Sequence, residues 1–129
     1  VPDLTFVDGM QVREGAEHYV QLSKELLSVY KGLGYTPQNF FAPISRLKEV
    51  DAAGFDEAVA LVMEFGRKLR EQGMRARTSM HDDVLRRRKT EVDFILKPFL
   101  EKAEMLGIAI PTVKAAYRTI KTQDQYLTA

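Results

Sequence analysis

Phe55-Asp56-Glu57-Ala58-Val59-Ala60-Leu61-Val62-Met63-Glu64-Phe65-Gly66-Arg67-Lys68-Leu69-Arg70 is the stretch that decides the fold. Apolar or small residues return at Phe55, Ala58, Val59, Val62, Gly66 and Leu69, three or four positions apart, and draw one stripe down an α-helix. Gly66 lies on that stripe and costs about 1 kcal/mol of helix propensity relative to Ala, so its expected use is the close approach of a neighbouring helix. Gly73 supplies the stop.

The same spacing recurs on both sides. From Arg13 to Leu33 the stripe is Ala16, Tyr19, Val20, Ser23, Leu26, Leu27 and Tyr30, and Gly34 provides a left-handed end. From Glu91 to Leu106 it is Val92, Ile95, Leu96, Phe99, Leu100, Ala103 and Leu106, with Gly107 beyond. A last helix opens at Pro111, a first-turn residue, and carries Val113, Ala116, Tyr117, Ile120 and Leu127. Pro98 falls inside the third pattern, where it removes one hydrogen bond and clashes with the carbonyl of Phe94, so a bend is expected there. Residues 36–50 hold Pro37, Phe40, Phe41 and Pro43 and predict a turn with one short helix, its aromatics on the core or on a ligand-facing surface. Alternation of polar and apolar residues is confined to Leu4–Val7, which predicts no sheet. The expectation is one all-α domain over residues 1–129, a helical bundle of about five or six helices.

Composition narrows the function. The 19 basic and 18 acidic residues leave a net charge of +1, which marks neither a nucleic-acid nor a membrane partner. No Cys is present, so disulfide and thiol chemistry are excluded, and no window approaches 18 apolar residues. A cytoplasmic setting is expected. The chain begins at Val1 rather than Met and is expected to be a piece of a longer protein.

Chemistry concentrates at two predicted helix starts. Ser79, followed three residues later by Asp82, fits an N-cap with a reaching acid; Glu91 follows Thr90 and precedes Asp93, again the ordinary composition of a first turn. A helix start also presents unpaired N–H groups, so both residues stand equally where a polar ligand could bind. Arg86-Arg87-Arg88-Lys89 point in four directions about 100° apart and do not converge on an anion. His81 beside Asp82 and Asp83 resembles a metal site in composition only, because the other histidine is His18 and no H-E-x-x-H spacing exists; no metal is expected.

The ordered set Ser79-Met80, Asp82-Asp83, Thr90-Glu91-Val92-Asp93, a long apolar helix and Gly107-Ile108-Ala109-Ile110-Pro111 resembles the C-terminal domain of the ketopantoate reductase (2-dehydropantoate 2-reductase) family. The clear resemblance runs from about Arg77 to about Lys121 and continues back through Tyr19 to Gly73 in helix lengths and turn positions. It implies an all-helical domain like that of 6-phosphogluconate dehydrogenase, paired in the whole enzyme with a nucleotide-binding Rossmann domain. No G-x-G-x-x-G fingerprint occurs here, so that domain is expected to lie outside the chain.

The activity implied by the resemblance is reduction of a small 2-keto acid with NADPH, ketopantoate to pantoate in pantothenate biosynthesis. Ser79 is implied to bind the substrate and Glu91 the NADP ribose. The family's catalytic Lys lies on a helix upstream of the segment resembling Leu4–Gln11, so no catalytic residue is assigned, and Lys24 does not inherit the role. The chain alone is expected to be inactive, and a homodimer is expected. Where the family carries Asn-Gly, this chain has Leu96-Lys97 and then Pro98. A non-catalytic helical module for dimerisation or regulation is the alternative.

Overall fold

In the computed structural model, which describes residues 6–38, 46–73 and 92–128, the deciding stretch is helical from Phe55–Glu71. Among the described residues it follows α1 (Phe6–Met10), α2 (Arg13–Gly32) and α3 (Leu47–Ala52), and is itself α4. After it come α5 (Val92–Ile95), α6 (Lys97–Leu106) and α7 (Pro111–Thr128). Among the described residues there is no strand, so the all-α class holds. Of the alternating stretch Leu4–Val7, Phe6 and Val7 lie in α1, and Leu4 and Thr5 lie outside the described residues. The chain forms two compact units, Asp3–Ala76 and Arg77–Ala129.

In the first unit, α4 packs against α2 and α1, and α3 closes the side between α2 and α4. The stripe read from α4 is the buried one: Ala58, Val59, Val62, Gly66 and Leu69. Phe55 departs from it at 39% exposed, because it occupies the first helical position at the edge of the unit. Ala58, Val59 and Val62 join Met10, Ala16, Val20, Val50 and Ala53 in one core, with Tyr19, Leu61, Met63 and Phe65 packed on its border. Gly66 does what its position predicts. A Cβ built there would lie 2.8 Å from Met10 Cβ, closer than real carbon atoms approach, so α1 crosses α4 at a point where no side chain fits.

The ends of the helices follow their glycines. Gly34, Gly73 and Gly107 all take positive φ, at 93°, 80° and 70°. Around Gly34 the N–H of Tyr35 bonds the Tyr30 carbonyl at 3.2 Å and that of Gly34 bonds Lys31 at 2.9 Å, the paired bonds of a Schellman motif. The Tyr30 and Tyr35 rings stack over it at 5.0 Å. Gly107 ends α6 in the same way, with Ile108 bonding Ala103 at 2.9 Å and Gly107 bonding Glu104 at 3.2 Å.

In the second unit the helix predicted over 91–106 breaks outright at Leu96. Pro98 lacks the N–H that would continue the ladder to Phe94, so α5 stops at Ile95 and α6 restarts with Pro98 in its first turn, where that N–H would be unpaired anyway. The first new bond is Leu100 N–H to the Leu96 carbonyl, at 3.1 Å. The break interrupts the predicted stripe. Ala103 is buried with Ile110 and Val113, whereas Ile95 and Leu106 remain 40% and 38% exposed.

Candidate functional site

Ser79 and Glu91, the two residues singled out for substrate and cofactor, lie outside the described residues, as do His81, Asp82, Asp83 and the basic run 86–89. The described part of the motif begins after them, and its chemistry centres on Asp93. Tyr117 Oη donates to Asp93 Oδ1 at 2.5 Å, and Lys121 Nζ donates to Asp93 Oδ2 at 2.9 Å. The two donors sit four residues apart on α7 and so share one face of that helix. Each carboxylate oxygen is therefore engaged by a different side chain, and α5 is tied to α7 through one residue.

The electrostatics follow from these bonds. The Tyr117 hydroxyl first, and Lys121 second, hold the Asp93 carboxyl below the usual carboxylate range. The same carboxylate raises the Tyr117 phenol and the Lys121 ammonium, because each loses a bond to a charge when it gives up its proton. The Lys121 and Asp93 side chains stay 27% and 36% exposed, so this is a surface-facing cluster rather than a buried ion pair.

Tyr117 also lines a groove of about 630 Å³ in the same unit, together with the apolar Leu100, Ala103, Ile108 and Ile110 and the cations Lys114 and Arg118. Its volume falls in the range of small-molecule sites. In the first unit a void of about 10 Å³ is bordered by Tyr19, Val50 and Phe65, room for a single water at most. Burial raises the Tyr19 phenol there, with a partly opposing bond from Ser23.

Lys24 is accounted for structurally. Its Nζ donates to the carbonyls of Val50 at 3.1 Å and Ala53 at 2.6 Å, closing the C-terminal end of α3, while Lys31, two turns further along α2, pairs with Asp51 at 2.7 Å. Sequence reasoning withheld a catalytic role from Lys24 without finding this one, since carbonyl acceptors leave no trace in residue identity. Tyr117 and Lys121 were likewise missed as partners of Asp93. Their i, i+4 spacing was the available signal, but it does not name an acceptor 24 and 28 residues away.

Among the described residues no three His, Cys, Asp or Glu side chains gather to hold a metal, and no helix is long and apolar enough to cross a membrane. The model of the family "Ketopantoate reductase PanE/ApbA C terminal" matches residues 1–124, and the chain belongs to that family. It is 50% identical over 48 residues to the 2-dehydropantoate 2-reductase of Vibrio cholerae serotype O1, a stretch covering 37% of this chain and 16% of that enzyme. The matched stretch is thus a small part of the relative's length. No solved structure matches.

Proposed function

We propose that this chain is the helical substrate and dimerisation domain, over residues 1–129, of a reductase that converts ketopantoate to pantoate with NADPH. The observation that carries the reading is the family match over residues 1–124, which takes in both Ser79 and the Thr90-Glu91-Val92-Asp93 motif. The second reading, a non-catalytic helical module, has no observation of its own in its favour.

The donor set fits a supporting share in cofactor binding. Both oxygens of Asp93 are engaged by Tyr117 and Lys121, and Glu91 is the motif's carboxylate that the resemblance gives to the vicinal ribose hydroxyls, which it suits by accepting two hydrogen bonds. The chain has no glycine fingerprint to cradle a pyrophosphate, which assigns that task to a Rossmann domain elsewhere in the whole protein. When bound, NADPH supplies the hydride. Ser79, at a helix start expected from the sequence, donates a hydrogen bond to the carboxylate of the keto acid. The resemblance gives protonation of the developing alkoxide to a lysine upstream of this segment, and Lys24, whose Nζ is committed to two carbonyls of its own unit, does not take that role. The setting is cytoplasmic and the enzyme a homodimer.

The test is steady-state kinetics beside melting temperature in the full-length protein. Ser79→Ala should raise KM for the keto acid, and Glu91→Ala should weaken NADPH binding and turnover. If both residues were caps alone, each substitution would lower stability by about 0.5–2 kcal/mol and leave KM and kcat per folded molecule unchanged.

A further inference from the structure

We infer that the groove beside Tyr117 binds an amphipathic organic anion, whose apolar body lies on Leu100, Ile108 and Ile110 and whose charged head lies on Lys114 and Arg118. The inference does not rest on the reading of the chain as part of a reductase.

Charge, shape and rigidity carry it together. Lys114 and Arg118 stand four residues apart on α7 and share one face, with about 5–6 Å between their Cβ atoms, a separation that one carboxylate or phosphate head can bridge. Lys121, on the same helix, is paired with Asp93 at 2.9 Å, whereas among the described residues Lys114 and Arg118 have no side-chain hydrogen bond or ion pair. Glu104 is the one acidic residue among the described residues of the groove, so its rim carries a net positive charge. Two exposed cations alone would be an ordinary solvated surface. Here they border an apolar wall, to which Ala103 and Ala109 contribute a single methyl each, leaving about 630 Å³. That volume lies within the range of about 300–1,000 Å³ that small-molecule sites occupy. The wall is also fixed in advance. The Tyr117 ring is held by its bond to Asp93, and the turn carrying Ile108 is held by Gly107 at positive φ and by the Ile108 N–H on the Ala103 carbonyl at 2.9 Å. A pre-formed pocket spares its ligand the cost of ordering the walls. A purely polar anion leaves the apolar wall in water, and an uncharged apolar ligand desolvates two cations without pairing them; a molecule with both parts satisfies both.

The experiment titrates the full-length protein with octanoate by calorimetry, beside octan-1-ol and octylammonium as the uncharged and cationic molecules of the same chain length. Octanoate is expected to bind at least about tenfold more tightly than either, a difference of about 1.4 kcal/mol. Lys114→Glu and Arg118→Glu, both at exposed positions, should each weaken octanoate about tenfold, and Lys102→Glu, a cation of α6 outside the groove, should leave it unchanged. Ala109→Phe should weaken octanoate and octan-1-ol alike by filling the space. Equal affinity for octanoate and octan-1-ol would show a merely apolar patch and overturn the inference. An equal loss in Lys102→Glu would show attraction to overall charge and overturn it too. Absence of octanoate binding would mean that another part of the protein or a second copy fills the groove, and the inference falls. Competition by ketopantoate would make the groove the keto-acid site, which overturns it as a site of its own while leaving the reductase reading intact. Melting temperature checks that each variant is folded, and if one charge reversal fails to fold the other decides.

Discussion

Tyr117 Oη and Asp93 Oδ1 lie 2.5 Å apart, joining the last helix to the helix Val92–Ile95. With Lys121 on the second oxygen, the contact places one negative charge between a neutral donor and a positive one. Its strength therefore depends on three protons.

The first prediction is a pH window. The folded pKa of Asp93 lies below its unfolded value, so the stability it adds is present above an unfolded pKa of about 3.9 and is lost as pH falls through the lower folded value. Lys121 and Tyr117 are raised, so their share is complete below about 10 and is lost as pH rises through their folded values. Comparing unfolding midpoints of the parent and Asp93→Asn across pH should give a difference that is flat near neutrality and shrinks at both extremes. A difference independent of pH would rule the charge out as its source.

Second, Lys24→Met should cost about 1.5–3 kcal/mol, the usual worth of hydrogen bonds to a charged group, because it strips the donor from the Val50 and Ala53 carbonyls. Denaturant unfolding of the chain measures it. In the full-length enzyme the same variant should keep its kcat per folded molecule; a loss of several orders of magnitude would return Lys24 to the chemistry.

Third, Gly66→Ala should destabilise by about 1–3 kcal/mol although Ala is the better helix former, since the new methyl meets Met10 Cβ at 2.8 Å. Met10→Ala leaves that same Cβ in place, whereas Met10→Gly removes it and should recover part of the loss in the double variant. Additive costs would mean that the two positions do not touch.

Fourth, the isolated chain should associate with itself. Phe94, Met105 and Tyr126 are 84%, 73% and 82% exposed in the second unit and offer apolar side chains that a second copy could cover. Sedimentation should find a dimer at high micromolar concentration, weakened by Phe94→Ser; a clean monomer would end the idea.

Much of this architecture is legible in residue order because it is local. A three-four stripe on α4, a glycine at each of three helix ends and a proline that cannot donate all act within a turn of themselves. Gly66 was legible for the same reason, as a residue whose only advantage is its lack of a side chain. What escaped is what depends on partners far along the chain. Glu25 reads as a surface residue yet is 5% exposed, with Gln21 donating to its carboxylate at 3.0 Å. The exposed Ile95 and Leu106 were read as core because periodicity assumes an unbroken helix, and the break at Leu96 removes that assumption. The candidate site was legible only as a motif: Asp93 could be named from its neighbours in sequence, and its donors could not.

The bond between Lys24 and the end of α3 also divides mutational freedom unequally. Its acceptors are main-chain oxygens, which every amino acid carries, so as far as this tie is concerned positions 50 and 53 can drift in identity. Its donor is one side chain, and no other residue type reaches the same place with the same charge and shape. Among relatives that keep this helix pair, the donor position should be the constrained one, and a lysine invariant there would reflect architecture rather than catalysis.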